Sequence, residues 1–462
     1  MRRRNNYNNN NSSIGFYIIF ALIIGAGIYL YNSEMFEREK PQVILNTNGF
    51  WNLKKPLNLS VEDSSGIKSY KIILKTSSGE KVINSEQPLI LKGKVNIAVE
   101  PPRGSYAMKD KEVSLRVEAT DASKWNFLNG NTAVKEFTLK VDNRRPSVVA
   151  ISHSYKITRG GSAVVIFKAE DENLKDVYIK TNYGKKFIPQ PFYEDGYYIS
   201  LLAWPVGERN FKANIIAKDY AGNVAKSYIP MYLTQKNYRI SRIKLSNSFL
   251  NGKIAELAEE FLETQGIDNP LEQFKVINED VRAKNEKLIH EITSKVPQEK
   301  ITQFKMKKMK PLKSAITVAS FGDHRKYLYK GKYISESYHL GLDLASYARD
   351  NITPQNSGDV VYSDFNGLYG NMPIIYHGLG LYTLYGHCSS VNVNSGDFIN
   401  GGNIVAKTGK SGYAMGDHLH FGVLVQGIEV RPAEWMDTAW IKLNIADIIN
   451  NAKNIISGKV KK

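Results

Sequence analysis

The chain has 462 residues, too many for one hydrophobic core, and its 42% hydrophobic and 23% charged residues are typical of folded, water-soluble domains. Its single cysteine, Cys388, excludes an intrachain disulfide, so the domains must be stable through packing, and we expect Cys388 itself to be buried. The formal net charge of +17 predicts attraction to anionic surfaces such as lipid head groups and acidic polymers.

A long apolar run lies near the N-terminus. The run IGFYIIFALIIGAGIYLY (residues 14–31) carries no charge and is long enough to cross a bilayer as a helix. Arg2, Arg3 and Arg4 precede it, and the positive-inside tendency keeps such a cluster in the cytoplasm. We therefore predict a cytoplasmic segment (residues 1–13), a transmembrane anchor (14–31) and export of everything that follows, which excludes nucleic acid as a partner. A cleaved signal peptide is the alternative, although no clear small-x-small cleavage site follows the run.

An internal repeat follows the apolar run. The segment SVEDSSGIKSYKIILKTSSGEKVI (residues 60–83) is echoed by KAEDENLKDVYIKTNYGKKFI (168–188), and both contain Glu-Asp and Lys-Thr-x-x-Gly. In the same order, VEATD (117–121) is answered by IIAKD (215–219). Alternating apolar and polar residues between turn signals indicate short antiparallel strands in both copies. The repeat therefore predicts two tandem β-modules.

Each module has about the hundred residues of an immunoglobulin-like β-sandwich. The pieces DNRRPSV and DYAGNVA also resemble strand-end signatures of bacterial immunoglobulin-like domains. We predict sandwiches at residues 40–144 and 145–236. Because neither contains a cluster of His, Cys or closely spaced carboxylates, we interpret them as spacers or as binding modules for envelope protein partners.

Beyond Asn251 the apolar period changes from that of a strand to that of a helix, in IAELAEEFLE and LEQFKVINEDVRAKNEKLIHEI. This pattern predicts a helical connector at residues 237–312. Its apolar stripe could pack on the following domain or on a partner helix. We expect a β-rich domain at residues 313–440 and a basic C-terminal tail at residues 441–462.

Six of the eight histidines follow Lys300, and the first motif among them is HLGLDL (residues 339–344). Because side chains alternate along a strand, we expect His339, Gly341 and Asp343 on one face and three leucines toward the core. An imidazole and a carboxylate on one face are suitable ligands for Zn²⁺, and a catalytic site needs a third protein ligand.

A candidate third ligand lies in DHLHFG (residues 417–422), where His418 and His420 are two residues apart and can enter the same groove. One of them can bind the metal while the other transfers protons. His387, in the motif LYGHC, ends an aromatic strand and is the fifth residue of the set. Each pair alone is common, but their order within one β-rich domain is specific.

Together these motifs resemble the lysostaphin-type, or LytM-like, zinc endopeptidases over roughly residues 313–435. The resemblance rests on FGDHR, HLGLD, YGH and HLHF, with SGD and GKSG as similar connecting turns. It implies a predominantly antiparallel β peptidase domain that binds one Zn²⁺ ion and cuts peptide bonds of bacterial peptidoglycan, as a DD-endopeptidase on cross-links. With the anchor, it places the catalytic domain in the periplasm, tethered to the inner membrane.

The resemblance assigns a role to each of the five residues. It implies that His339, Asp343 and His420 bind the zinc ion, and that His387 and His418 are a catalytic pair that binds no metal. We also expect Tyr333 and Tyr385 to line the substrate groove.

Two other functions remain open. Some proteins of this fold have lost metal ligands and activate other wall hydrolases, and an anchored multidomain chain suits such a regulator. An envelope scaffold or adhesion protein is the second alternative. The intact set of five residues favours the enzyme. The upstream regions, above all the helical connector, could also occlude the groove.

Overall fold

The computed structural model describes residues 11–102 and 110–459. The chain is mostly β, with an apolar helix near the N-terminus and few others, as the sequence predicts. Two compact units are present: Met1–Arg145 with Lys218–Val224, and Pro146–Ala217 with Ala225–Lys462. The cluster Arg2 to Arg4, on which the predicted orientation of the anchor depends, lies outside the described residues.

The N-terminal helix is Asn11–Asn32, and a 3-10 turn, Glu34–Phe36, follows it. Its segment Gly15–Asn32 is apolar, has none of its residues buried, and is long enough to cross a membrane. Length and composition thus agree with the anchor predicted at residues 14–31. A signal sequence has the same properties, so both interpretations from the sequence stay open.

The first module contains two β-sheets that share one core, which includes Leu59, Ile72 and Val117, and all their strand pairs are antiparallel except Phe50–Trp51 with Thr132–Val141. Along Glu112–Asp121 every second residue is buried, because only one face of this strand meets the core. The larger sheet has the order Phe50–Trp51, Thr132–Val141, Glu112–Asp121, Ile67–Thr76, Gly79–Glu86, and the smaller has the order Gln42–Leu45, Leu57–Glu62, Lys94–Val99. A short helix, Trp125–Leu128, lies between two of these strands.

The second module also contains two sheets. One has the order Gln190–Pro191, Tyr197–Ala203, Ser162–Glu170, Ser147–His153, and the other has the order Lys186–Phe187, Leu174–Thr181, Ala213–Asp219, Val224–Tyr228. Lys156–Thr158 pairs with Tyr232–Thr234 beside them. Residues 162–167 of the strand SAVVIFKAE are all buried, so this strand is covered on both faces. For both modules the immunoglobulin-like assignment stays a prediction.

The connector packs on the C-terminal domain. Of the two alternatives for its apolar stripe, the following domain and a partner helix, the structure shows the first. Its first strand, Ile240–Lys244, runs parallel to His324–Tyr329 of that domain. Phe274 and Ile277 of its helices share a hydrophobic cluster with Tyr369. The helical segments are Asn247–Phe249, Leu250–Ile254, Ala255–Glu260, Leu262–Thr264, Pro270–Val276, Ile277–Val281 and Arg282–Thr293.

An antiparallel eight-stranded sheet forms the centre of the C-terminal domain. Its order is Ile316–Ala319, Leu342–Ala345, Leu419–Val425, Leu381–Gly386, Gly370–Tyr376, Gly358–Asn366, Phe398–Ile399, with Ile428–Val430 beside Leu419–Val425. His324–Tyr329 pairs with Lys332–Tyr338, and a small sheet contains Asn351–Ile352, Ala406–Lys407 and Ser390–Val391. A 3-10 turn, Gly367–Tyr369, precedes one central strand.

The stretch predicted as a basic tail is helical as far as Ile456. Its apolar residues Ile445, Ile449 and Ala452 recur at helical spacing and are buried in the same cluster as the second module. A free tail is therefore the wrong description of this part, because one face of the helix is needed in the core. The helices are Pro432–Trp435, Thr438–Ile441, Lys442–Ala446 and Asp447–Ile456, and residues 460–462 lie outside the described residues.

Candidate functional site

Strand pairing in the central sheet brings two of the predicted ligands together. Asp343, on Leu342–Ala345, lies directly opposite His420 on Leu419–Val425. His420 in turn faces Gly386 on its other side, so the end of a third strand borders the same spot. The two motifs, about eighty residues apart in the chain, therefore meet because their strands are neighbours.

His339 completes a compact group with these two residues. His339 Nε2 lies 2.9 Å from Asp343 Oδ1 and 3.1 Å from His420 Nδ1, and the latter two atoms are 2.9 Å apart. All three residues are buried. Gly341 makes room for this group, because a Cβ there would lie 2.4 Å from His420 Nε2.

The hydrogen bonding of His339 makes the group suitable for a cation. Its Nδ1–H donates to the Ser320 carbonyl at 3.0 Å, which leaves a lone pair on Nε2 of the neutral ring. That lone pair points at an oxygen of Asp343 and at a nitrogen of His420, and acceptor atoms that converge in this way need a shared cation or proton. Burial alone would raise the pKa of Asp343, but hydrogen bonds and charge from His339 and His420 hold it well below its usual range.

His387 and His418 lie beside this group. Their rings are 4.8 Å apart between centroids, and the His387 ring is 5.9 Å from that of His420. His387 Nδ1–H donates to the Ser411 carbonyl at 2.8 Å, and His418 Nδ1–H donates to the Gly416 carbonyl at 2.8 Å. These backbone bonds fix both tautomers, so Nε2 of each ring is the proton-accepting atom.

Burial, followed by the neighbouring rings of His420 and His418, lowers the pKa of His387 to about 3. The ring of His387 is therefore neutral at physiological pH, and its Nε2 carries a lone pair. The backbone of His387 has a positive φ of 63°, immediately after the strand Leu381–Gly386 ends. This turn directs the ring back toward His420 instead of along the strand.

A groove of 640 Å³ opens over the five residues. Tyr327, Tyr338 and Tyr413 contribute aromatic surface to its walls, and Arg325 contributes a cation. The Arg325 guanidinium lies 3.8 Å from Asp343 Oδ2 and 3.7 Å from Asp323 Oδ2, longer than hydrogen bonds. Connector residues form one wall: Ile243, Lys244, Leu245, Phe249 and Arg282. The connector thus builds part of the groove, and the site remains open.

Two details of the sequence prediction are wrong. His339 and Gly341 precede the strand, which begins at Leu342, and Leu340 lines the groove instead of pointing to the core. The chain bends at Gly341 as it passes from one sheet to the next, so strict alternation does not apply there.

The two tyrosines expected in the groove lie elsewhere. Tyr385 is buried in the core, where its hydroxyl accepts a hydrogen bond from Thr383, and Tyr333 is exposed at a separate depression beside Arg242. The groove instead uses Tyr338, whose motif gave no signal, and Tyr413, which follows the glycine-rich turn GKSG. Cys388 is fully buried, as predicted.

These features define a class of protein: a β-sheet hydrolase-like domain with a buried His-Asp-His group at the base of an open groove. Residues 337–432 match the family model described as Peptidase family M23. The C-terminal part of the chain is therefore an M23 peptidase domain of the LytM type, which confirms the resemblance read from the motifs.

Several curated proteins match this chain, among them two that differ in name and organism. A stretch of 94 residues is 31% identical to the DD-carboxypeptidase/endopeptidase Mpg of Neisseria meningitidis serogroup B, covering 20% of this chain and 22% of that protein. A stretch of 101 residues is 32% identical to Stage II sporulation protein Q of Bacillus subtilis, covering 21% of this chain and 36% of that protein. The chain thus spans only a minor part of the length of these relatives.

Solved structures also match this chain, with low TM-scores. The catalytic domain of the antimicrobial peptidase lysostaphin from Staphylococcus simulans is 23% identical, with a TM-score of 0.22, and the match covers 26% of this chain and 92% of that one. A zinc-containing peptidase from Vibrio cholerae is 13% identical, with a TM-score of 0.25, and the match covers 72% of this chain and 80% of that one.

Proposed function

We propose that the C-terminal domain is a zinc-dependent endopeptidase that hydrolyses peptide bonds of peptidoglycan. It acts as a DD-endopeptidase on the cross-links. We further propose that the helix Asn11–Asn32 anchors it in a bacterial inner membrane with the catalytic domain in the periplasm. The observation that carries this proposal is the convergence of His339, Asp343 and His420 beside two further histidines whose tautomers are fixed. Similarity to an enzyme named DD-carboxypeptidase/endopeptidase supports the reaction class.

The donor set fits Zn²⁺. Two imidazole nitrogens and one carboxylate oxygen are the ligands of a catalytic zinc site, which leaves one position for water or substrate. The hydrogen bond from His339 Nδ1 to Ser320 orients that ring from behind, as is usual for zinc-binding histidines. Zn²⁺ supplies a Lewis acid that polarises a carbonyl and lowers the pKa of water toward 7.

The remaining groups of the groove have roles that follow from their positions. Nε2 of the neutral His387 ring accepts a proton in the groove. Nε2 of His418, beside it, holds a proton or gives it back to the substrate. The Arg325 guanidinium lies beside Asp343 at more than hydrogen-bond distance, and its N–H groups can donate to a carbonyl or carboxylate oxygen of the substrate peptide. Tyrosine side chains in the walls give an extended peptide an apolar surface.

The test is digestion of purified cross-linked peptidoglycan by the full chain in detergent, with fragments read by mass spectrometry. We expect zinc-loaded wild type to convert cross-linked dimers to monomers, and a chelator to stop the reaction until zinc is restored. His418→Ala should reduce the rate by roughly 10²- to 10⁴-fold, as loss of an acid-base group does. His153→Ala is the matched control, because His153 lies in the second module and its ring hydrogen-bonds to the carbonyl of the neighbouring Ser154.

The same experiment decides against the other two functions. If wild type and His418→Ala release the same fragments, or neither releases any while zinc binds, hydrolysis by this site is excluded. The chain would then act as a regulator that activates other wall hydrolases or as an envelope scaffold. Activity in a second hydrolase that rises on addition of either protein would identify the regulator.

A further inference from the structure

Large apolar side chains are exposed at one end of the first module. Phe127 is 94% exposed and Ile90 is 72% exposed, on two different loops. We call this surface the apolar end and define it by Leu89, Ile90, Leu91, Trp125, Phe127 and Leu128, all of which are exposed. Isolated exposed apolar residues are common, but six within two loops form a patch that requires a partner.

Hydrogen bonds show that the two loops belong to one surface. The turn Asp63–Gly66 touches both, because Asp63 N donates to Gly93 O at 2.8 Å and Ala122 N donates to Gly66 O at 2.8 Å. Lys68 Nζ also reaches the Asn129 carbonyl. The strand Ile67–Thr76 starts at this end and carries the chain away from it.

The apolar end is tied to the end of the N-terminal helix. Lys124 N donates to Met35 O at 2.8 Å, only three residues after the helix ends at Asn32. The Arg38 guanidinium lies over the ring of Tyr31 at 4.2 Å and over the ring of Trp125 at 4.3 Å, so it joins the helix to the loop. Three residues of chain span at most about 11 Å, which fixes how far this loop can lie from the helix end.

The backbone holds two of the apolar side chains outward at a conformational cost. Asn126, Phe127 and Leu128 have φ angles of 50°, 55° and 66°, in the left-handed region that such residues rarely adopt. Strained backbone of this kind concentrates at functional sites, because a packed loop would otherwise relax. In this loop the strained residues are also the exposed ones.

We propose that the apolar end lies on the surface of the lipid bilayer that the helix Asn11–Asn32 crosses, with its leucine, isoleucine and phenylalanine side chains in the interfacial layer. This inference rests on the proposed membrane anchor. A bilayer is the occupant because the tether leaves the loops at the membrane surface, where Trp125 and Tyr31 match the aromatic belt of an interface. Exposed Lys92 and Lys124 lie next to the patch and can reach lipid phosphates while their stems cover apolar surface.

The first module would then contact the membrane surface and hold the anchored chain in a fixed orientation. The strand Ile67–Thr76 leads away from the apolar end for roughly 30 Å to the turn at Ser77 and Ser78. This distance supplies an internal control, because Ser78 is exposed at the opposite end of the same sheet.

Site-specific fluorescence in proteoliposomes tests the proposal. The full chain is reconstituted into vesicles of phosphatidylethanolamine and phosphatidylglycerol, with a fluorophore attached at Leu89→Cys, Phe127→Cys or Ser78→Cys. The native Cys388 is fully buried, and wild type taken through the same labelling is the blank. Circular dichroism and peptidoglycan digestion show that each variant is folded.

The two quenchers should act on different ends. Brominated lipids should reduce the emission at positions 89 and 127 and iodide should not, whereas position 78 should respond only to iodide. Equal iodide quenching at all three positions would overturn the proposal and leave the anchor in place. Shielding of positions 89 and 127 from both quenchers would also overturn it, because a protein surface would then cover the patch. If the chain does not float with vesicles, both the membrane anchor and the contact of the apolar end with the bilayer are excluded. The digestion assay tests the proposed peptidase activity separately.

Discussion

The two β-modules derive from one repeated sequence pattern, yet the structure uses them differently. The first has a core of its own, which includes Trp51 and Leu115, and leaves its apolar end exposed. The second shares one continuous hydrophobic cluster with the M23 domain, in which Trp204 and Phe421 both take part. The difference teaches that a repeat specifies the fold of each copy but not the surface against which the copy packs.

Specific polar contacts fix the second module to the M23 domain. Trp435 Nε1 donates to Ser162 Oγ at 3.1 Å, and Ser162 N donates to Glu434 Oε2 at 2.9 Å. Ser154 Oγ donates to the Asn444 carbonyl at 2.8 Å. These groups are buried, so separation of the two parts would leave them without partners. The second module is therefore a structural part of the same compact unit as the M23 domain.

The largest expected effect comes from truncation. A chain that begins at Pro146 should fold and keep hydrolysing peptidoglycan, because it retains the second module, the connector and the M23 domain. A chain that begins at Lys313 should be insoluble or molten, since it exposes the apolar surfaces that the second module and the connector cover. Circular dichroism melting and the digestion assay measure both.

This truncation also bears on the hypothesis that the connector occludes the groove. A shorter chain that folds and cleaves faster than the full chain would support occlusion and would contradict the integral role proposed here. Loss of cooperative melting on removal of the first module would show that the two modules depend on each other.

Two tryptophan substitutions should give the next largest effect. Trp204→Ala and Trp51→Ala each remove a fully buried indole whose Nε1 donates to a backbone carbonyl four residues on, at 2.9 and 2.8 Å. Each should lower the free energy of unfolding of its own unit by about 3–5 kcal/mol. Only Trp204→Ala should also impair peptidoglycan digestion on warming, because its cluster includes the strands that carry Asp343 and His420. Urea unfolding followed by circular dichroism, with digestion at rising temperature, separates the two, and equal loss of digestion would contradict the comparison.

Much of the site could be predicted from the sequence because its motifs are local. HLGLD and HLHF keep their residues two or four apart, and so short a separation along the chain limits how far apart the side chains can lie. The connector's choice of partner and the positions of the groove tyrosines depend on long-range packing, which no local pattern contains. Tyr333 and Tyr385 were misplaced for this reason.

A usable signal for the difference between the modules was nevertheless present. In EVSLRVEATD of the first module apolar residues alternate with polar ones, which is typical of a strand with one covered face. In SAVVIFKAE of the second module the apolar run is continuous, and the strand is buried on both faces. The continuous apolar run of this strand therefore predicts that the second module has an additional partner.

Glu434 should make the stability of the second unit depend on pH. Burial raises the pKa of this carboxyl from 4.5 to about 7, despite the nearby Arg431 and the hydrogen bonds from Ser162. The folded chain therefore retains a proton that the unfolded chain releases between pH 4.5 and 7, and the free energy of unfolding falls as pH rises through this window. Glu434→Gln keeps an acceptor oxygen but cannot titrate. The variant should therefore lack this pH-dependent fall in the free energy of unfolding, which we expect to be on the order of 1–3 kcal/mol.

The measurement for Glu434 is urea unfolding across the window for wild type and variant. The variant should gain stability relative to wild type toward the alkaline end, and the difference should vanish toward the acidic end. Glu256→Gln in the connector is the control, because the Glu256 side chain is exposed and its carboxylate pairs with Lys253 at the surface. Parallel curves for wild type and Glu434→Gln would show that burial does not perturb this carboxyl.

Gln426 provides the smallest and most local test of the contact between the second module and the M23 domain. Its Oε1 accepts from Ile188 N at 2.8 Å and its Nε2 donates to Ile188 O at 3.0 Å, so one amide completes the backbone hydrogen bonding of the second module. Gln426→Ala removes both of these bonds and a longer one from Nε2 to Ser200 Oγ at 3.3 Å, and it should lower the free energy of unfolding by about 1–2 kcal/mol. Gln298→Ala, which loses only a local bond to Val296 at an exposed position, should have no measurable effect. The backbone amide of Ile188 should exchange its hydrogen faster in Gln426→Ala alone, because the Gln426 side chain no longer protects it. Unchanged exchange would mean that the apolar cluster holds the second module and the M23 domain together without this bond.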